Sequence, residues 1–546
     1  MNFILYSKSF ISPATHSNSA QFGFRDNHST TDCIFILHSI IQNIIHNKSK
    51  LYCAFIDYEK AFDTVIHEAL WIKLVNSGLS CKMINIIKAI YHNVKSCIKN
   101  SCDMSYSDLF DVTIGVKQGE PLSPLLFILF INDIKESVDF EHLTQKDLHL
   151  LPVFMLLFAD DIALFTTSPD SLQKQLDAIH TYSCKWGLKI NVNKTKICIF
   201  EKRKSVCNFR WFINQDLIEV VNEFCYLGIN LHYTGNLSKA VKMLNEQALK
   251  AFNQLLSVFS RLNLDIKTKL SLFDALVAPI ILYGSEIWGV YNMKEVDKLN
   301  YKFCKIILGV KPQTSNAAVL GELGRFPLSL IARQRAVKYW IKVLQNPNSL
   351  IYDVYKKQCD LFTSSTATQN TANQLWCGSM KSLLNKLGYG NIFDDPNAVN
   401  MCTYVSLMQR LRDQYIQEWH NTVSNQPKLE YYCMFKTDFK YEKYLDVIMN
   451  AKLKKQLSRF RVCSHSLEIE TGRYNNIDRN DRKCKLCNQN TVESEYHFLL
   501  CCPAYIEIRR KFKINTNWPN LSMFRNILGY KNGVVSIVWL DSSPRV

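Results

Sequence analysis

The sequence predicts an α+β protein of several domains, and three observations predict it. Two adjacent carboxylates, Asp160 and Asp161, sit between apolar, strand-like runs in Leu156-Leu157-Phe158-Ala159-Asp160-Asp161-Ile162-Ala163-Leu164-Phe165. Further short apolar runs, 51–56 and 197–200, alternate with amphipathic helical spacing over the first 235 residues or so. From 237 onward the spacing turns helical, and a Cys/His-rich tail closes the chain.

A chain of 546 residues exceeds what one core serves, and about two to four domains are expected. The 47% hydrophobic share excludes a disordered protein. The formal net charge is +17 at a pI near 9.0, which favours a polyanionic partner, nucleic acid before an acidic membrane surface. The N-terminus, MNFILYSKSF, lacks the apolar core of a signal peptide, so the 19 cysteines are expected as reduced thiols of an intracellular protein. No apolar run is long enough to span a bilayer, and the longest, 150–165, is broken by the acidic pair.

Each element has its own signal. Gln21-Phe22-Gly23-Phe24-Arg25 precedes His28-Ser29-Thr30-Thr31-Asp32, a helix N-cap region, and then an apolar stretch from Ile34 to Ile45. Leu51 to Ile56 reads as a buried strand ending at Asp57, a place from which a carboxylate reaches a cleft or simply starts a turn. A helix is expected soon after, with Ala61, Val65, Ala69 and Ile72 on one face and Gly78 as its stop. Gln118-Gly119 lies in a loop feeding a helix with Ser123 as N-cap and Pro124 at its first helical position. An amide side chain beside a glycine suits close approach to a base or sugar-phosphate, or a plain turn. Carboxylates held against apolar surface are costly unless paired, protonated or metal-bound, and no Lys or Arg lies between Lys146 and Lys174. Leu172, Leu176, Ile179 and Tyr182 form the next helix, closed by Trp186-Gly187. A strand and polar turn over 188–196 follow, then a strand from Ile197 to Phe200 and another over Glu223 to Ile229. Leu244, Ala248, Phe252, Leu255 and Phe259 make a core stripe, with Lys239, Lys242 and Lys250 off it. Residues 362–374 are polar and low in complexity and read as a linker, before another helical region over roughly 397–460.

The tail carries Cys484, Cys487, His497 and Cys502 at C-x2-C-x9-H-x4-C spacing, a donor set that suits tetrahedral zinc, with Cys501 as a rival last ligand. Arg473, Arg479, Arg482, Lys483 and Lys485 precede it and Arg509, Arg510 and Lys511 follow, which favours a zinc module that grips nucleic acid.

In order, the motifs are Phe-Ile-Asp-Tyr-Glu-Lys-Ala-Phe-Asp (55–63), Gly-Val-Lys-Gln-Gly-Glu-Pro-Leu-Ser-Pro-Leu-Leu-Phe (115–127), Phe-Ala-Asp-Asp (158–161), Gly-Leu-Lys-Ile-Asn-Val-Asn-Lys-Thr-Lys (187–196) and Tyr-Leu-Gly-Ile (226–229). Together they resemble the palm of a reverse transcriptase of the non-LTR (LINE-type) retrotransposons, over roughly residues 20–235. Gly-Arg-Tyr-Asn-Asn (472–476) and Cys502-Pro503 echo the zinc-binding region of such elements. The family sets its last ligand just before that proline, which favours Cys502.

The resemblance implies a right-hand fold: partial fingers over 1–50, an antiparallel palm sheet backed by helices over 51–235, and a helical thumb or connection over 236–345. A helical region over 346–460 and a basic zinc-binding tail over 461–546 complete it. It implies an RNA-directed DNA polymerase in which a primer 3′-hydroxyl attacks the α-phosphate of a deoxynucleotide. Asp57, Asp160 and Asp161 would hold two Mg²⁺ ions. Phe62 would be the steric gate against ribose, and Gln118 and Gly119 would line the nucleotide pocket. Lys194 would sit by the leaving pyrophosphate, and Phe224, Tyr226, Leu227 and Gly228 would form the primer grip. Expected partners are an RNA template, a DNA primer or target and deoxynucleotides, with action in the nucleus and no membrane. The sequence starts beyond the family's Arg-Pro-Ile fingers segment, with Arg25 the basic residue left near that place, and carries no endonuclease. An N-terminally truncated copy is therefore expected. The alternative reading is a nucleic-acid-binding remnant without polymerase activity. An intron-encoded maturase would carry a different C-terminal region.

Overall fold

The computed structural model describes residues 20–100, 103–138, 153–291, 293, 295–364, 375–395, 399–448, 450–511 and 520–528. Of the expected linker, 362–364 finish a helix, Leu350–Ser364, and the rest lies outside the described residues. The chain divides into two compact units, Met1–Ala240 with Tyr339–Leu383, and Val241–Lys338 with Leu384–Val546.

The first unit is built on β1 (Leu51–Ile56), β2 (Met155–Phe158), β3 (Asp161–Thr166), β4 (Lys196–Phe200) and β5 (Glu219–Val221). They form one five-stranded sheet in the order β2-β3-β1-β4-β5. Strand β1 is buried along its whole length, and this explains its unbroken apolar run: it is covered on both faces and has no solvent side to alternate with. It pairs antiparallel with β3, from Tyr52↔Thr166 to Ile56↔Ile162, and with β4, from Leu51↔Phe200 to Phe55↔Lys196. β5 joins β4 in parallel, so the sheet is mixed at that edge.

Three helices back the sheet. Helix α1 (Thr30–His46) starts as expected at Ser29, whose backbone N–H donates to Asp32 Oδ2 at 2.8 Å. Helix α3 (Ser123–Ile131) is apolar all round and buried, which places it inside the core. Its N-cap is Leu122, not Ser123; Ser123 is its first residue and Pro124 its second, not its first, and the Ser123 hydroxyl lies 3.3 Å from the Tyr91 hydroxyl. Helix α4 (Pro169–Trp186) runs from a Ser168 cap to Gly187 at φ 73°, and buries Leu172, Leu176, Ile179 and Tyr182.

Two further expectations need correction. The helix after Asp57 begins only at α2 (His67–Asn76), and its buried residues are Leu70, Lys73 and Leu74, with Ile72 exposed. Residues 59–66 are held out of a helix by pairing: Val116 N donates to Phe62 O and Gly115 N to Val65 O, each at 2.8 Å. Residues 188–192 are not a strand, because their ladder pairing is a single bridge, Tyr58↔Ile190.

The second unit is helical. Phe273 and Phe303 stack at 4.1 Å in its core. A buried Arg461 is paired to Glu322 at 2.8 Å and to Glu442 at 3.0 Å, which removes the cost of an isolated interior charge. No helix among the described residues is long and apolar enough to cross a membrane. The described cysteines are all free thiols.

Candidate functional site

The register of the sheet assembles the acidic residues. Ile56 pairs with Ile162, so Asp57, one residue on, stands beside Asp161, one residue back. β2 and β3 form a hairpin closed by the Phe158↔Asp161 pair, leaving Ala159-Asp160 as its two-residue turn. The three carboxylates feel one another. Desolvation raises the Asp160 carboxyl, and the Asp57 charge adds to the rise. Desolvation, then Asp160 and Asp57, push Asp161 up to about 6. Asp57 Oδ2 is buried and accepts no hydrogen bond from the described residues. Lys194 Nζ lies 3.6 Å from it, on a side chain that is 70% exposed. A tight group of carboxylates with a buried, unbonded oxygen fits a divalent cation.

Backbone stitching fixes the exit of β1. Asp57 N donates to Thr195 Oγ1 at 3.3 Å, and Asn191 N donates to Asp57 O at 2.8 Å. The polar turn that carries Lys194 is thereby tied to the acidic strand end. Phe62 is half-buried and stacks on Phe127 of α3 at 4.5 Å. Gln118 Nε2 donates to Asp63 Oδ1 at 2.8 Å, a partnership not foreseen from the sequence although both residues lie in the motifs. Gly119 has φ 83°, and a Cβ there would meet nothing within 4 Å. Its positive φ is the conformation glycine favours, and the space a Cβ would take is open among the described residues.

Strands β6 (Glu223–Tyr226) and β7 (Ile229–His232) form a separate hairpin with Leu227-Gly228 at the tip, both at positive φ. Phe224 stacks on Phe55 of β1 at 4.2 Å, and Tyr226 is buried beside the same ring at 5.3 Å. Phe224 and Tyr226 therefore anchor this hairpin to the strand that delivers Asp57, and Leu227 and Gly228 form its tip.

In the tail, the ligand atoms of Cys484, Cys487, His497 and Cys502 all lie within 4.8 Å of one another. Cys484 Sγ is 3.9 Å from Cys502 Sγ, and Cys487 Sγ is 3.5 Å from His497 Nε2. Tetrahedral zinc with Zn–S near 2.3 Å needs edges of about 3.8 Å, so the donor set fits. Thr491 Oγ1, 3.1 Å from His497 Nδ1, orients the ring. Cys501 is not in the cluster. The surrounding basic residues are largely engaged within the protein. Arg473 pairs with Glu470, Arg479 with Glu430, Lys485 with Glu468 and Arg510 with Glu507. Arg482 donates to the Ile477 and Ile469 carbonyls, and buried Arg509 to the Cys502 carbonyl. Lys485 and Arg510 stay 67% and 68% exposed in these surface pairs, so their charges remain open to solvent beside the zinc ligands.

Residues 6–231 match the family described as "Reverse transcriptase (RNA-dependent DNA polymerase)". This part of the chain is a reverse transcriptase domain, and its sheet with the acidic hairpin is the palm of that fold. The relatives this chain resembles are reverse transcriptases of non-LTR retrotransposons. It is similar to the RNA-directed DNA polymerase from mobile element jockey of Drosophila funebris, at 27% identity over 60% of this chain and 36% of that protein. It is also similar to the probable RNA-directed DNA polymerase from transposon BS of Drosophila melanogaster, at 29% identity over 50% of this chain and 30% of that protein. The chain thus spans about a third of the length of these relatives. Among solved structures, apo telomerase from Candida tropicalis aligns with 75% of this chain and 61% of its own at 14% identity and a TM-score of 0.34, a likeness that adds nothing to the assignment.

Proposed function

We propose that the chain is an RNA-directed DNA polymerase of a non-LTR retrotransposon, which extends a primer 3′-hydroxyl along an RNA template. The observation that carries this reading is the placing of Asp57 beside the 160–161 tip, from strands more than a hundred residues apart. Asp57, Asp160 and Asp161 would hold two Mg²⁺ ions, which supply activation of the attacking oxygen and neutralise charge on the leaving pyrophosphate. The chain's own residues do the rest. Phe62, braced by Phe127, fills the space a ribose 2′-hydroxyl would need. Gln118, held by Asp63, and Gly119 line the nucleotide pocket. Lys194 is exposed enough to turn from Asp57 towards the phosphates as a charge or proton donor. Leu227 and Gly228 steady the primer end, with Phe224 and Tyr226 as their anchor. Residues 1–50 would be partial fingers, 51–235 the palm and 236–345 the thumb or connection, followed by a helical region to 460.

Cys484, Cys487, His497 and Cys502 would hold one Zn²⁺ that clips the 461–546 tail. With an RNA template and a DNA primer as partners, the site of action would be the nucleus.

The test is primer extension by the full chain on an RNA template with deoxynucleotides and Mg²⁺. Template-dependent extension is expected, and it is expected to vanish in the Asp160→Asn, Asp161→Asn double variant. Salt-sensitive RNA binding without any extension would instead identify a binding remnant.

A further inference from the structure

The turn that presents Asp160 is strained, and a segment far away in the chain holds it. Ala159 has φ 55°, whereas Asp160 is not among the residues at positive φ. A two-residue hairpin turn with positive φ at its first place alone is of the II′ kind, which calls for glycine there. Here an alanine occupies it, so the turn carries a steric cost that something else must offset.

Residues 20–23 do so. Phe22 N donates to Leu157 O at 2.8 Å and Leu157 N to Ala20 O at 2.9 Å, so this segment runs as a short parallel edge along β2. The Gln21 side chain is fully buried. Its Oε1 accepts from Ala159 N at 3.2 Å and from Gly23 N at 2.8 Å. One amide oxygen thus joins the strained residue to the segment beside it. Gly23 fits against the same place: a Cβ there would collide with Ala159 N.

We propose that Gln21 is a positioning residue for the acidic hairpin. By capping the Ala159 amide it keeps the turn in the one backbone state that aims Asp160 at Asp57. Gly23 is the clearance that lets it approach. The inference concerns the geometry of the hairpin, and its rate arm rests on the polymerase reading above.

The experiment uses three full-length variants: Gln21→Leu, Ala159→Gly, and both together. Leucine removes the acceptor at similar size, and glycine removes the steric cost of positive φ. Two readouts are taken: backbone hydrogen exchange at Phe158 and Asp161, the pair that closes the turn, and kcat and KM for deoxynucleotide on an RNA template. In Gln21→Leu, exchange at the hairpin should rise about tenfold while β1 amides are unchanged. kcat should fall about a hundredfold with KM altered much less. The double variant should recover most of both losses, because glycine takes up the turn unaided. A purely structural role for Gln21 would predict no recovery on adding Ala159→Gly. Unchanged hairpin exchange in Gln21→Leu, or a double variant no better than Gln21→Leu, overturns the proposal. The exchange arm decides the matter even if the chain extends no primer, an outcome that would sink the polymerase reading alone.

Discussion

At the residue scale the site is a set of charges that the protein gathers but does not neutralise. Lys194 is the cation 3.6 Å from Asp57, and it is largely solvent-exposed, where an ion pair contributes little. Burial first, and then the charges of Asp160 and Asp57, push Asp161 up to about 6. Each acid alone reads equally well as a turn residue, and it was the order of the motifs that singled out Asp57, Asp160 and Asp161 as a group. Gln21 was not legible as a functional residue. Its role depends on two backbone amides, one 138 residues away. Nothing local to Gln21-Phe22-Gly23 announces them. Phe62 gives the clearest single-residue prediction. Its stacking on Phe127 at 4.5 Å denies it room to swing aside. Phe62→Ala should raise ribonucleotide incorporation relative to deoxynucleotide by about a hundredfold, at a stability cost of about 2 kcal/mol for a half-buried ring. Single-nucleotide addition with matched ribo- and deoxynucleotides measures the ratio, and an unchanged ratio would remove Phe62 from the gate.

At the element scale, strands and helices with strong end signals were legible, and those shaped by distant pairing were not. Leu51–Ile56 and the Ser168-to-Gly187 helix follow from apolar run, cap and stop. The late start of α2 does not, because 59–66 is drawn off by backbone bonds to 115–116. Helix α1 makes stability depend on pH. Burial pushes His38 down to about 4, and its Nε2 lies 3.3 Å from the Gly235 carbonyl. An unfolded histidine protonates near 6.5, so the unfolded state takes up the proton first as pH falls. Stability from this residue is intact above about pH 6.5 and is lost progressively towards pH 4. Urea unfolding should show a loss of roughly 2 kcal/mol between pH 7 and pH 5 that His38→Gln abolishes. An equal loss in the variant would assign it to other groups. In the tail, spacing alone left Cys501 and Cys502 as rivals, and the fold brings only Cys502 to the other three ligands. Cys502→Ala should therefore lose bound zinc and lower the melting temperature, whereas Cys501→Ala should keep both. Zinc content by mass spectrometry checks this, and the reverse pattern would refute the ligand set.

At the scale of the whole molecule, charge and connectivity were read from the sequence with different success. The excess of +17 is real, and around the zinc ligands several of its cations meet Glu430, Glu468, Glu470 and Glu507 in surface pairs that leave them exposed. Composition counts charges and does not see their partners. Nor does it see that the chain returns to its first compact unit over Tyr339–Leu383, since that return is made by tertiary packing. What the order of motifs did convey is that β1 and the acidic hairpin belong to one site, and the Ile56↔Ile162 pair sets them together. The central claim is that Asp57 acts with that hairpin in phosphoryl transfer. Single-turnover addition of one deoxynucleotide on an RNA template, wild type beside Asp57→Asn, tests it most directly. The account predicts a rate about a thousandfold lower in the variant, with template–primer affinity and melting temperature essentially unchanged. A variant that adds the nucleotide at close to the wild-type rate would contradict it.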